Sequence, residues 1–218
     1  MGILAAALLG LVAGEAMRRR LNRLAYRLPY DEEADVDETV LPSPGSRWWV
    51  PVVLSAAWAC VVWRCPAPPV GAWRDLARLV GWLAFSGIGL GMAAIDLDVR
   101  RLPDRGQIWL AGASLACGVL AFWGAPIRLV IGLCAGLACG LVFLVIHSIS
   151  RGSLGLGDVK LVMTCGWWLG LISLAAVFAG LMAACLLAVA YSLVARQRQF
   201  AFGPWLAAGT VVAGLYAA

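Results

Sequence analysis

The stretch QIWLAGASLACGVLAFWGAPIRLVIGLCAGLACGLVFLVIHSIS, residues 107–150, carries two long apolar runs parted by Gly124-Ala125-Pro126. Each run is close to the roughly 20 residues that a helix needs to cross the hydrocarbon of a bilayer. The Gly-Ala-Pro break turns the chain back, so this stretch crosses a membrane and returns. Before it stands Asp96, in the sequence AAIDLDVRRLPD, and after it Asp158, at the end of Gly155-Leu156-Gly157-Asp158. An even number of crossings between them places both acids on the same membrane face. Carboxylates at the edge of apolar runs are costly enough to be functional suspects by default.

The rest of the chain has the same character. With 62% hydrophobic and 13% charged residues in 218, it holds more apolar surface than a soluble core of this size hides. Hydropathy predicts an all-α, polytopic membrane helix bundle of about eight transmembrane spans: Gly2 to Met17, Trp48 to Trp63, Leu76 to Ile95, Gln107 to Trp123, Leu129 to Ser148, Val159 to Trp168, Leu171 to Ala195 and Ala201 to Tyr216. The sixth is short for a span. It is either a half-height helix or the first arm of a hairpin over Val159 to Ala195 that turns at residues 167–170. Residues 1–218 read as one membrane-embedded domain with a short cytoplasmic loop at 18–47. The first run has no basic residue before it and six in the loop after it, the reverse of a secretory signal, and is expected to be a retained span.

The formal charge of +5 reports topology rather than a nucleic-acid partner. Thirteen of the seventeen basic residues fall in the loops at 18–47, 100–105, 151–160 and 196–198. Arg64, Arg74, Arg78 and Arg128 fall in the alternate loops. The positive-inside rule then puts the first group in the cytoplasm and both termini outside. Trp48, Trp49, Trp63, Trp73, Trp123, Trp167, Trp168 and Trp205 lie near predicted span ends, as an interfacial belt requires. Trp58 and Trp82 are expected between helices. Gly132, Gly136 and Gly140, four apart, give one helix a small face for close packing. The seven cysteines form no CxxC or His/Cys cluster, so no metal framework is expected.

Asp96 ends the third predicted span and Asp158 begins the sixth. An acid at a helix start meets free N–H groups and the positive end of the dipole, whereas one at a helix C-terminus does not. If two such carboxyls come within reach of each other, one keeps a proton while the other activates water, the arrangement of an aspartic hydrolase. Other polar residues have simpler readings. Asp98 reads as a solvated loop acid, Glu15 as the partner of Arg18 or Arg19, His147 as a helix-end packing residue and Lys160 as a snorkelling cation. Pro204 fits the first turn of the last helix, and the acidic run Asp31 to Glu38 fits a solvated loop. The rival reading is a small proton- or cation-coupled transporter that uses the same intramembrane carboxylates.

Together these pieces resemble one family, the type IV prepilin peptidases of the GxGD class. The resemblance rests on Ala94-Ile95-Asp96 with Arg101-Leu102-Pro103-Asp104, on Gly155-Leu156-Gly157-Asp158-Val159-Lys160-Leu161, on Phe202-Gly203-Pro204-Trp205-Leu206-Ala207, and on Asn22-Arg23-Leu24-Ala25-Tyr26-Arg27-Leu28-Pro29. It implies an aspartic endopeptidase of the plasma (inner) membrane that removes the basic leader of a prepilin or pseudopilin at the cytoplasmic face. Asp96 and Asp158 carry over as the catalytic acids; Asp98 and Asp104 are the nearby alternatives to Asp96, and Asp104, following Leu-Pro in the motif, maps to a supporting role. The implied partners are the prepilin substrate and membrane lipid, with no nucleic acid and no cofactor. Larger members carry two CxxC pairs in the first cytoplasmic loop and also methylate the new pilin N-terminus. Here residues 18–47 contain no cysteine, so zinc has no ligands there and methyl transfer loses its support.

Overall fold

A computed structural model describes residues 1–27, 46–65, 72–150, 154–195 and 201–217. All regular structure among them is helical, in the order α1 (Gly2–Leu21), α2 (Trp49–Arg64), α3 (Trp73–Val99), α4 (Asp104–Ala121), α5 (Pro126–Ile149), α6 (Leu156–Gly170), α7 (Leu174–Ala195) and α8 (Gly203–Ala217). Each helix overlaps one predicted span. Three are long and apolar enough to cross a membrane by length and composition, Trp73–Val99, Pro126–Ile149 and Leu174–Val194. α1 carries Glu15 and Arg18 to Arg20 in its last turns, where the cations complement the helix dipole.

The helices end where the sequence removes the means to continue. α3 stops at Arg100, which takes a left-handed conformation (φ 51°) and returns its N–H to the carbonyl of Asp96. Leu102 and Pro103 turn the chain directly into α4. Pro126 opens α5, where its missing N–H costs nothing. Extended Gly155 opens α6, and Pro204 sits in the first turn of α8, as the sequence predicts.

Packing places α3 and α6 at the centre. α3 contacts α1, α2, α4 and α8, and α6 contacts α4, α5, α7 and α8. The glycine face of α5 works as expected: a Cβ at Gly136 would lie 2.8 Å from the Met163 carbonyl, and one at Gly170 would lie 2.9 Å from the Gly132 Cα. The backbones of α5 and α6 therefore touch, which only small residues permit. α1 and α2 close in the same way, with Gly10 against Ser55 and the Ser55 hydroxyl donating to the Ala7 carbonyl at 2.9 Å.

The short sixth helix is explained by its surroundings. Its fifteen residues span about 22 Å, less than the roughly 30 Å of hydrocarbon, but nearly every residue from Val159 to Gly170 is buried by neighbouring helices. The turn after it falls at Leu171, Ile172 and Ser173, just beyond the expected position, and its main packing partner is α5 rather than α7.

Two tryptophan expectations fail. Trp167 and Trp168 are buried at 9% and 2% exposure rather than interfacial. The Trp167 indole N–H donates to the Ser114 carbonyl at 3.1 Å, and Trp168 meets Trp82 edge-on with ring centroids 5.4 Å apart. The C-terminal half of α6 is enclosed by neighbouring helices, so its aromatics pack against protein. Trp48, Trp63, Trp73 and Trp123 are exposed, as a belt requires. The acidic run Asp31 to Glu38 lies outside the described residues.

Candidate active site

The end of the bundle where α3 stops and α6 starts collects the acids. Asp96, in the last turn of α3, is buried at 4% exposure. Its Oδ2 accepts the main-chain N–H of Gly203 at 3.2 Å, so the first turn of α8 meets the carboxyl with a free helix-end donor. Asp158 lies half-buried in the first turn of α6, with its N–H on the Gly155 carbonyl. Gly203, which binds Asp96, and Gly157, which precedes Asp158, both close on Leu102.

Leu102 fills the space beside this pair and fixes the glycines around it. A Cβ on Gly203 would stand 2.8 Å from Asp96 Oδ2 and 3.0 Å from Leu102 Cδ2, and one on Gly157 would stand 2.9 Å from Leu102 Cβ. The two glycines are thus required by close approach, Gly157 to bring the α6 start onto Leu102 and Gly203 to bring α8 onto the carboxyl. Buried Gln107, on α4, donates through Nε2 to the Gly157 carbonyl at 2.8 Å. His147, near the end of α5, places Nδ1 2.5 Å from the Leu154 carbonyl. It anchors the segment leading into Gly155 to Asp158, a larger part than helix-end packing.

Asp98 is the main correction. It is buried, not solvated. Arg27 grips it with two bonds, Nη2 to Oδ1 at 2.7 Å and Nε to Oδ2 at 3.0 Å; Arg47 Nη2 lies 3.2 Å from Oδ2, and the Tyr26 hydroxyl donates to the same oxygen. The Arg47 guanidinium also lies over the Tyr26 ring. Burial first, and then the Asp98 carboxylate, raise the pKa of the Tyr26 hydroxyl above its ordinary value and keep it a donor. The physical reason is helical: α3 runs on to Val99 rather than ending at Ile95, and residues two apart on a helix point to nearly opposite sides. Asp96 therefore faces α8 while Asp98 faces Tyr26, Arg27 and Arg47 of the 18–47 loop.

The remaining acids sort more simply. Asp104 is exposed and pairs with Lys160 across α4 and α6, so Lys160 has a carboxylate partner rather than a purely snorkelling role. Glu15 accepts from Arg18 at 2.7 and 2.8 Å and from Arg19 at 2.9 Å, as expected. No group of three or more potential metal ligands occurs among the described residues. Gln107 and Leu102 were not legible as site residues, because one looks like the polar start of a span and the other like ordinary filler.

These features define a helical membrane protein with two acidic side chains gathered at one end of its bundle. Residues 83–193 match the type IV leader peptidase family, and the chain belongs to that family. The match takes in both Asp96 and Asp158. The chain is 34% identical to a prepilin leader peptidase/N-methyltransferase of Dickeya chrysanthemi over 62% of its own length and 50% of the relative's. A protein of the same name from Pectobacterium carotovorum is 28% identical over 93% of this chain and 89% of that one. One from Burkholderia pseudomallei is 33% identical over 55% and 41%. The chain thus spans half the length of the Dickeya relative. No solved structure matches it.

Proposed function

We propose that this protein is an aspartic endopeptidase that cleaves the basic leader from type IV prepilins or pseudopilins at the cytoplasmic face of the inner membrane. The observation that supports the reading is the placement of Asp96 in the last turn of α3 and Asp158 in the first turn of α6, with Gly203 beside the first and Gly157 beside the second both packed on Leu102. A water held between the two carboxyls attacks the scissile carbonyl. One carboxylate takes a proton from the attacking water while the other, protonated, gives its proton to the carbonyl oxygen. As the C–N bond breaks, the first passes the water's proton to the leaving amine and the second takes a proton back from the tetrahedral diol. The Gly203 N–H holds Asp96 in place through the cycle.

The substrate's own apolar helix lies along the lipid-facing helices, and its leader extends beyond the membrane edge toward the 18–47 loop. The bare backbone at exposed Gly155 leaves room for an extended strand to lie beside Asp158. The chemistry asks for no metal or nucleotide. The methyltransferase half of the relatives' name is not carried over, since residues 18–47 hold no cysteine. The test is incubation of the purified, detergent-solubilised protein with a prepilin. A leader-sized mass loss at the start of the apolar helix supports the reading, and an intact prepilin under conditions where the protein stays helical contradicts it.

A further inference from the structure

The other end of α3 holds a second polar site that the peptidase reading does not use. A cavity of about 500 Å³ opens there, lined by Arg74, Asp75, Arg78 and Arg128 over a floor that includes Trp82 and Trp168. The helical rise puts the first turn of α3 about 33 Å from Asp96, close to the roughly 30 Å depth of the hydrocarbon. The cavity therefore lies at the opposite membrane interface from the paired acids.

Its charge is unbalanced. Three guanidiniums face one carboxylate, and among the described residues Arg74 and Arg78 make no ion pair. Arg78 Nε is buried without a hydrogen-bond partner. The guanidiniums are nonetheless held in place. Arg78 lies over the Phe122 ring at 5.3 Å and Arg128 over the same ring at 5.9 Å. The Arg74 guanidinium packs so close to Gly124 that a Cβ there would stand 2.9 Å from it. Arg128 also caps α6 by donating to the Leu171 and Ile172 carbonyls at 3.3 and 2.8 Å. Ordered arginines with an unanswered buried donor suit an oxyanion, which the planar guanidinium fork binds through paired bonds.

We infer that this cavity binds the phosphate group of an anionic phospholipid at the membrane interface opposite the paired acids. A lipid fits both parts of the site: its phosphodiester meets Arg74, Arg78 and Arg128, while its glycerol and first acyl carbons rest on Trp82, Phe122 and Ile172. Basic pockets between membrane helices hold lipid headgroups in this way. Asp75 at the rim disfavours a highly charged soluble anion and suits a singly charged phosphodiester.

The experiment is native mass spectrometry of the detergent-solubilised full chain, titrated in parallel with phosphatidylglycerol, phosphatidylcholine and inorganic phosphate. Wild-type protein is expected to retain one phosphatidylglycerol that R74Q/R78Q loses, with affinity down about tenfold or more, while inorganic phosphate and phosphatidylcholine bind weakly to both. Equal retention by wild type and variant, or binding of inorganic phosphate as tight as that of the lipid, overturns the inference. Should R74Q/R78Q fail to fold, R74K/R78K keeps both charges but not the fork, and undiminished lipid retention by it counts against the site. Leader cleavage is read separately at the far membrane edge, so either result stands without the other.

Discussion

The main-chain N–H of Gly203 donates to Asp96 Oδ2 across 3.2 Å, tying the first turn of α8 to the last turn of α3. A residue late in the chain thereby orients an acid near its middle. A Cβ at position 203 would stand 2.8 Å from that oxygen, so Gly203→Ala must push the carboxyl or α8 aside. Displacement of a reacting group by about 1 Å costs on the order of a hundredfold in rate. The expected outcome is a fall in kcat of ten- to a hundredfold as an order-of-magnitude figure, with helical content by circular dichroism unchanged.

Asp98 serves the fold on the side away from Asp96. Arg27 and Arg47 stand on either side of the 28–45 segment and both reach this one carboxylate. Removing one member of a buried ion pair leaves the others uncompensated and costs about 3–5 kcal/mol. Asp98→Ala is therefore expected to lower Tm by several degrees. Tyr26→Phe removes the bond its hydroxyl donates to Asp98 and the one it accepts from Arg47 but leaves the ion pairs in place, and should cost less, about 2 kcal/mol. Thermal unfolding of the detergent-solubilised variants checks the order, and a larger loss in the Tyr26 variant would contradict it.

Gln107 acts on the site through Gly157, whose carbonyl it holds at 2.8 Å. Gln107→Leu keeps the volume and deletes the donor. It should lower kcat more than it raises KM, because the start of α6 loses its register while the lipid-facing surface for the substrate helix is untouched. A pure KM effect in steady-state cleavage assays would place Gln107 in substrate binding instead.

The Asp104–Lys160 pair is exposed on both sides, so water and salt screen it. Such pairs contribute about 0–1 kcal/mol. Asp104→Asn is expected to leave stability within about 1 kcal/mol and to retain most of the cleavage activity. Loss of cleavage comparable to that of Asp96→Asn would move Asp104 into the catalytic machinery.

Much of this architecture was legible because a membrane enforces simple rules. Apolar runs of near-span length, broken by Gly124-Ala125-Pro126 or Pro204, located each helix. Side-chain direction was harder. Asp98 looked like a loop acid because hydropathy ends a span at its last apolar residue, whereas α3 continues to Val99 and turns Asp98 into a buried cluster. Trp167 and Trp168 looked interfacial because their position near a helix end suggests a belt, and only the packing of α6 among four helices shows that both are buried. Leu102 and Gln107 carry no signal of their own, since their importance comes from what the folded chain sets beside them.

The central claim is that Asp96 and Asp158 work as one unit, and a double-mutant cycle on prepilin cleavage tests it most directly. Groups that act together lose nearly everything when either is removed. The expected result is that Asp96→Asn, Asp158→Asn and the double variant are equally inactive while all three remain folded. Wild-type turnover in either single variant, or losses that multiply in the double variant, would contradict the pairing.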